Sequence, residues 1–600
     1  MAGLNFVCGD SLSTAPFEAA AKDCAEAVHG YESSVIFTSE NFTVFDISYD
    51  EYPIKKIETD SFMILVEGHI YNENNYSACA KYINKKINSQ NIRSISEWLG
   101  NQDGDFNIYH ISKEDNTLTI ISDALNRIPI YYSTFDGTST MGGRSIHFIK
   151  KAMENMGRRL SLNREAIAQT LLLRHPFGKK TFYNEISKTG PGAFLKINNG
   201  QLIYSQVYNI RFDKRRYKDR TLKQNASELA DILLKACKRR RQLNGKHIVS
   251  LSGGKDSRLV ATALAETGCD VAAASFYNYS GWMKKDVDIA QKIVEKLEID
   301  WHLYHTTVTG RSMKKLLYRK GGMNNFALGH LVEFYQKLCD NQKVQMYTGD
   351  VGDLLDGGWS VYRSFNSITG AANWIINNNA EISPSQVSKL TGISEEKLTA
   401  FVAKRLEKFP ETELRAKVEH FLTRERGMNL DFHGEDRTRT FCWTHAPLNS
   451  RPVLEYLIEL PRKQKKDYKL YKTLMNQIRG SLYDVDYVPY GAPVGSREQL
   501  LKQKLYNLIS NVPNLRNLVL GFLFDKSGYP KPVSELLVAQ IDQSNELEEY
   551  LDSDELRAIA AQTDTINSNT AFDLITIITL IEYVHGDELT IDSYQDVKFL

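Results

Sequence analysis

Residues 250–259 read Ser-Leu-Ser-Gly-Gly-Lys-Asp-Ser-Arg-Leu, and no other segment constrains the chain as much. The apolar run Ile248 to Leu251 predicts a strand, Gly253-Gly254 a tight turn, and the stretch Arg258 to Glu266 a helix. Such a sequence gathers unpaired backbone N–H groups around one point, where the helix dipole also favours an anion such as phosphate. The two glycines let the backbone come close, and Ser252 and Ser257 add hydroxyl donors. Asp256 would repel a phosphate, so its carboxylate makes sense beside a polyphosphate with a magnesium ion between them. The common P-loop, with four residues between its glycines and a Gly-Lys-Ser/Thr ending, is absent. A bare glycine turn between a buried strand and a helix needs neither the flanking serines nor the aspartate.

A second cluster lies at 344–358, Val-Gln-Met-Tyr-Thr-Gly-Asp-Val-Gly-Asp-Leu-Leu-Asp-Gly-Gly. A strand here runs into a turn carrying Asp350, Asp353 and Asp356. In a doubly wound sheet the functional loops lie at the carboxyl ends of strands, so Asp256 and Asp353 could share one magnesium ion. Aspartate also caps helices, but three among four glycines exceed what a cap requires.

At 600 residues the chain is too long for one core and predicts two or more domains. A net charge of +1 gives no field that would draw nucleic acid or an anionic membrane. No apolar run is long enough to span a bilayer, and the start, Met-Ala-Gly-Leu-Asn-Phe-Val, lacks the character of a signal peptide. The cysteines are scattered without a CxxC pair, which argues against a disulfide framework, a zinc site or two-cysteine sulfur transfer. A reducing cytoplasm that supplies ATP is the expected location. The basic run Lys235–Arg241 reads as a solvated helix end.

Short apolar or alternating runs dominate the first part: Ser34–Thr38, Thr43–Ile47, Phe62–Val66, Phe106–Ile111, Leu118–Ile121 and Ile128–Ser133, with a helix over Pro16–His29. They predict a mostly antiparallel sheet domain. Polar, basic text over Asn209–Arg220 predicts a linker. Helix–strand alternation follows: helix Gln224–Arg240, strand His247–Leu251, helix Leu259–Thr267, strand Val271–Phe276, helix Val287–Leu297, and strands Trp301–Tyr304 and Val344–Thr348. That order predicts a parallel, doubly wound sheet, and the text beyond about 365 reads as helical.

Together SGGKDS at 252–257 and TGDVGDLLDGG at 348–358 resemble the synthetase part of the asparagine synthetase family, whose near members include β-lactam-forming synthetases and lasso-peptide cyclases. Phe62–Asn72 resembles that family's NGEIYN strand, Asp123–Tyr132 its D-x-x-G-x-x-P-L-Y-Y segment, and Phe182–Ile197 the strip closing the same domain. The resemblance implies an Ntn-hydrolase-like αββα sandwich over 1–212 and, over 213–600, a doubly wound PP-loop ATP pyrophosphatase sheet with a helical extension. It implies ATP and Mg2+ as cofactors, with Asp256 and Asp353 as metal ligands. Ser250, Leu251, Ser252, Gly253, Gly254, Lys255, Asp256, Ser257, Ser275 and Gly349 would bind nucleotide. Asp350 falls near the reacting acyl group. Asp286 falls in the helix after the adenine-side strand. Lys472, in Lys-Leu-Tyr-Lys-Thr-Leu-Met, matches the second lysine of a Lys-x-x-Lys helix start and would face pyrophosphate and the reacting carbonyl.

The sequence departs from the family in two places. Glutamine-using members begin with a nucleophilic cysteine; here Ala2 follows Met1, Cys8 is internal, and Glu67 replaces an oxyanion-pocket asparagine. On the acceptor side, Trp443-Thr-His445-Ala-Pro447 replaces the family's Glu-x-Arg-x-Pro. The expected activity is an AMP- and pyrophosphate-forming amide ligase that joins a small-molecule or peptide carboxylate to an amine without using glutamine. Lactam or macrolactam closure and sugar-acid amidation stand as alternatives, as do a PP-loop tRNA-modifying enzyme and a non-catalytic homologue. No nucleic acid or membrane partner is expected, and a homo-oligomer is left open.

Overall fold

The computed structural model describes the chain except at residues 10–12, 90, 279–283, 341, 489, 511–530, 562–567 and 600. Two antiparallel six-stranded sheets arise from the first 206 residues. One runs, in spatial order, β10 (Ser187–Lys188), β8 (Tyr131–Phe135), β9 (Ser139–Gly143), β1 (Gly3–Gly9), β3 (Phe42–Tyr49), β2 (Tyr31–Thr38). The other runs β12 (Gln201–Gln206), β11 (Ala193–Asn198), β7 (Thr117–Ser122), β6 (Gly104–Ser112), β5 (Phe62–Ile70), β4 (Ile54–Glu58).

Period-two alternation explains the stacking. Met63 and Leu65 of β5 and Tyr109 and Ile111 of β6 pack with Phe6 of β1 and Val44 of β3, forming a core between the sheets. The intervening residues Ile64, Val66, Phe106 and Ile108 face outward, where the helices Tyr76–Asn88 and Ile92–Leu99 cover them with Ile83, Ile95 and Leu99. On the far side, Val7 and Phe45 meet Phe17 and Ala21 of the helix Ala15–Glu26 and Ile149 of the helix Ile146–Asn155. The layers are thus helix, sheet, sheet, helix. The inner strands of each sheet are covered on both faces, which is why they read as nearly continuous apolar runs, while the edge strands β2, β4 and β12 stay partly exposed. The expected strand at Ile128–Ser133 begins only at Tyr131; Pro129 has no N–H for a ladder.

Residues 207–221 hold no helix or strand. Beyond the helix Leu222–Arg240 lies a five-stranded parallel sheet, ordered β15 (Trp301–Thr306), β14 (Val271–Asn278), β13 (Lys246–Ser250), β16 (Val344–Tyr347), β17 (Trp443–His445). The order reverses between β13 and β16, and a crevice at the carboxyl ends of those two strands is the expected ligand position in such a sheet. β17 lies in text that the sequence reads as helical; its three residues are too few for a periodic signal. From Ile368 onward helices dominate. Among the described residues, no helix is long and apolar enough to cross a membrane.

Buried ion pairs join the layered part to the parallel sheet. Arg127 pairs with Glu435 and, at 3.2 Å, with Asp105; Arg439 reaches Asp105 at 3.1 Å and Glu435 at 3.2 Å. Arg144 and Lys320 both engage Asp436. Arg240, at the end of its helix, donates to Asp103 at 2.8 Å, and both side chains are almost wholly buried. Each charge is expensive to bury alone and tolerable only with its partner. Asp103→Asn is therefore expected to cost roughly 3–5 kcal/mol, measured by urea unfolding; a change within about 0.5 kcal/mol, the size expected of a neutral surface substitution, would show that Arg240 finds another counter-charge.

Candidate active site

β13 ends at Ser250, and its pairing continues one step as Leu251 N–H donates to Ala274 O at 2.9 Å. The Ser275 hydroxyl donates to Leu251 O at 2.7 Å and in turn accepts from Trp301 Nε1 at 3.0 Å. Ser275 thus ties down the loop's carbonyl from beneath and does not line the cavity described below. The helix starts at Lys255, earlier than the sequence suggests, so Lys255, Asp256 and Ser257 form its first turn. Asp256 and Ser257 suit that end of a helix, where backbone N–H groups and the dipole favour oxygen.

The serines close the loop on itself. Ser257 Oγ accepts from Ser252 N–H at 3.1 Å, the two hydroxyls lie 2.9 Å apart, and Ser252 Oγ accepts from Gly254 N–H at 3.2 Å. Asp286 accepts from Gly253 N–H. In this state the expected phosphate donors at 253 and 254 are bonded to protein oxygens, which an arriving anion would replace. Gly253 itself is covered by Val488 and Ile289.

The turn after β16 packs directly on the loop. A β-carbon at Gly349 would stand 2.4 Å from Ser257 N, and one at Gly352 2.0 Å from the Asp256 carboxylate. Between them Val351 adopts φ 68°, a strained conformation for a β-branched residue. The turn sends its aspartates to two sides. Asp350 accepts from the Thr348 hydroxyl at 2.8 Å and faces a cavity. Asp353 and Asp356 turn toward Asp256, and all three surround the buried Lys255 ammonium at 3.7, 3.1 and 2.8 Å respectively.

Charge in this cluster is unbalanced, three carboxylates against one ammonium. Burial by itself would lower the Lys255 pKa, but Asp256, Asp356 and Asp353 hold it well above its ordinary value. Burial pushes Asp256 up to about 6 against the opposing pull of Lys255, with Asp353 and Asp356 adding to the rise. Asp356 is raised in the same way. Among the described residues, no three His, Cys, Asp or Glu side chains are arranged to hold a metal unaided. Mg2+ ordinarily takes one or two carboxylates and completes its shell with phosphate oxygens and water. Asp256 and Asp353, already sharing one cation, fit that partial donor set; Lys255 now stands as their common cation.

In front of the loop lies a cavity of about 580 Å³. Ser250, Leu251, Ser252, Gly254, Asp256, Ser257, Gly349 and Asp350 line one wall. The opposite wall comes from distant parts of the chain. His175 is 3% exposed with neither ring nitrogen bonded, and Asn324 Oδ1, His433 Nδ1 and the Nε and Nη1 of buried Arg437 also lack protein partners. Buried polar atoms are normally satisfied, so these point to ligand or solvent. Asp573, raised to about 7 by burial against Arg174, completes that wall. These residues sit in four separate segments with no local motif, and the sequence offers no signal for them.

Beside Ser275, the expectation for Lys472 is corrected. Lys472 is exposed and lies outside the cavity wall, its Nζ 4.6 Å above the Tyr483 ring. Leu470, Tyr471, Leu474 and Met475 take the buried face of that helix, and it is Tyr471 that touches the loop, donating to Lys255 O at 2.9 Å. Trp443 does not bound the cavity either; it packs with Ala2, Tyr52 and Ile128 and donates to the Tyr71 hydroxyl at 3.1 Å.

The serine–glycine loop and the strands β13, β14 and β15 all lie within one stretch that matches a known family. Residues 246–325 match the family described as queuosine biosynthesis protein QueC. No curated protein matches the chain. A solved structure, NMN synthetase from Francisella tularensis, aligns at 12% identity over 35% of this chain and 97% of its own, with a TM-score of 0.18, a likeness too slight to carry an argument.

Two outcomes are expected. Gly352→Ala should weaken ATP binding at least about tenfold, roughly 1.4 kcal/mol, measured by equilibrium titration, because the added carbon displaces the Asp256 carboxylate. The second concerns pH. Burial first, and Glu435 next, push the Asp350 carboxyl from its ordinary 3.8 to about 6. The folded chain therefore binds this proton more tightly than the unfolded chain, and ionisation costs stability in full above pH 6. Asp350→Asn should raise unfolding stability by on the order of 2 kcal/mol at pH 7.5, with the gain fading as pH falls from 6 toward 4. An equal effect at both ends would exclude titration of Asp350 as the cause.

Proposed function

We propose that the protein is an AMP-forming amide ligase of the asparagine-synthetase-like kind, adenylating a carboxylate and condensing it with an amine without hydrolysing glutamine. The observation that carries this reading is the continuity of one cavity from the serine–glycine loop to a wall of unpartnered polar groups. Nucleotide takes the loop end, and the acid lies against His175, Asn324 and Arg437. The hydroxyls of Ser252 and Ser257 and the first-turn amides of the helix hold the phosphates. Mg2+, when bound at Asp256 and Asp353, supplies charge neutralisation on the polyphosphate. A carboxylate oxygen of the acid attacks the α-phosphorus and pyrophosphate leaves. The amine then attacks the acyl carbon and AMP leaves. Asp350, facing the cavity with a carboxyl near 6, is suited to accept the amine's proton. Lys255 holds Asp256, Asp353 and Asp356 together beside the loop.

We read residues 1–212 as a degenerate, Ntn-like glutamine amidotransferase domain serving as a platform, and 213–600 as the synthetase part, working in the cytoplasm. Supporting the loss of glutaminase, Glu67 is fully buried where the family's pocket would lie. It accepts from Leu4 N–H at 3.2 Å, Tyr52 Oη at 3.0 Å and Asn107 Nδ2 at 3.2 Å. A β-carbon at Gly3 would sit 1.9 Å from it, and Cys8 is buried in β1 with its thiol pKa raised. His175, from the layered part, lines the cavity, which supports a platform role. A second reading is a PP-loop tRNA-modifying enzyme; salt-dependent tRNA retention would favour it.

The test is ATP–pyrophosphate exchange across a panel of carboxylic acids. An active acid should lose exchange by roughly 100-fold or more in Asp256→Asn, the scale set by removing one electrostatic stabiliser. Failure of every acid to drive conversion of ATP to AMP would reject the ligase reading.

A further inference from the structure

A second cavity, about 70 Å³, opens between the segment around Lys179–Tyr204 and the π-helical stretch Leu422–Asp431. Lys179, Lys188, Arg405 and Arg424 face it, with Glu425 as the one carboxylate on its wall. Glu425 is already satisfied: it accepts from Arg405 Nε at 2.5 Å, Gly178 N–H at 2.9 Å and Asn429 Nδ2 at 2.7 Å. The other three cations have no such partner. Lys188 is 2% exposed, yet its ammonium donates only to the neutral Asn429 Oδ1, at 3.2 Å. Lys179 stands over the Tyr204 ring, 2.9 Å from its centroid. Among the described residues, none forms an ion pair with Lys179, Lys188 or Arg424.

Lys188 is buried, Arg424 half-buried and Lys179 exposed, and the single carboxylate Glu425 faces more positive charge than it can balance, an imbalance that is costly at low exposure. Burial lowers Lys188 to about 8 against the opposing pull of Glu425, and burial with Arg405 lowers Arg424 to about 10, again against Glu425, so the one carboxylate does not offset the burial of either cation. The volume is several times the ~10–15 Å³ that one water needs, enough for a free oxyanion and too small for a nucleotide. His433 lines both this cleft and the larger cavity, and its Nδ1 has no partner.

We propose that this cleft is an anion site for a phosphate-class oxyanion, held by Lys188, Arg424 and Lys179 beside His433. The inference does not depend on the ligase reading. Inorganic phosphate, titrated calorimetrically into the full chain at ionic strength fixed with sodium chloride, should bind saturably. Binding should survive Ser257→Ala in the nucleotide loop and weaken at least tenfold in Arg424→Gln and Lys188→Met. Absence of saturable binding would overturn the site. So would loss in Ser257→Ala with affinity intact in Arg424→Gln, which would place the phosphate at the loop. Should the buried variants fail to fold, Lys179→Ala, at an exposed position, is expected to weaken phosphate several-fold, and unchanged affinity there would overturn the proposal. Competition by glycerol 3-phosphate assigns the site to a phosphomonoester and its absence to the free ion, both within the proposal.

Discussion

Parallel pairing of β13 with β16, from Lys246 against Val344 to Val249 against Tyr347, is the constraint on which the site depends. Because the two strands run the same way, the segments leaving them emerge side by side at one edge of the sheet. Residues roughly a hundred positions apart in the chain are thereby forced together: Asp256 from one segment, Asp353 and Asp356 from the other, about a single ammonium. The closeness is enforced sterically as well. Glycine at 349 and 352 leaves no room for a side chain between turn and loop, and Val351 is held at positive φ to let the turn pass. Strain of this kind persists only where the surrounding structure over-determines it.

The second dependence is electrostatic. The layered part and the parallel sheet meet across buried charges, with Asp105, Arg127 and Arg144 on one side and Glu435, Asp436 and Arg439 on the other. The short helix Phe432–Thr438, which carries Glu435 and Asp436 into this interface, also brings His433 and Arg437 to the cavity wall. Interface and pocket are two faces of one element, so the docking that fixes one fixes the other. Such pairs contribute little net stability relative to apolar packing, but they tolerate one arrangement only.

Charge balance unites the two cavities. At the loop, carboxylates outnumber cations, and burial raises Asp256 and Asp356. Behind His433 the excess is positive, and burial lowers Lys188 and Arg424. One place wants a cation and the other an anion, each for the same reason: a low-dielectric surround makes uncompensated charge costly.

Local chemistry was readable without coordinates. The serine–glycine turn, its aspartate, the strand before it and the aspartate turn at 350–356 announce themselves because their function resides in contiguous residues. The apolar runs of β5, β6, β13 and β14 likewise mark strands, since each is covered on both faces. The resemblance places Lys472 at phosphate, whereas packing of Leu470, Tyr471, Leu474 and Met475 turns it outward, an orientation that a four-residue motif does not fix. Nor could the sequence by itself reveal His175, Asn324, Arg437 and Asp573, which share no segment and meet only because the layered part docks on the sheet and a C-terminal helix closes over both. Determined by sequence were the groups that act through their immediate neighbours; decided by tertiary structure were those whose partners lie hundreds of residues away, because only burial and docking set which charges face one another.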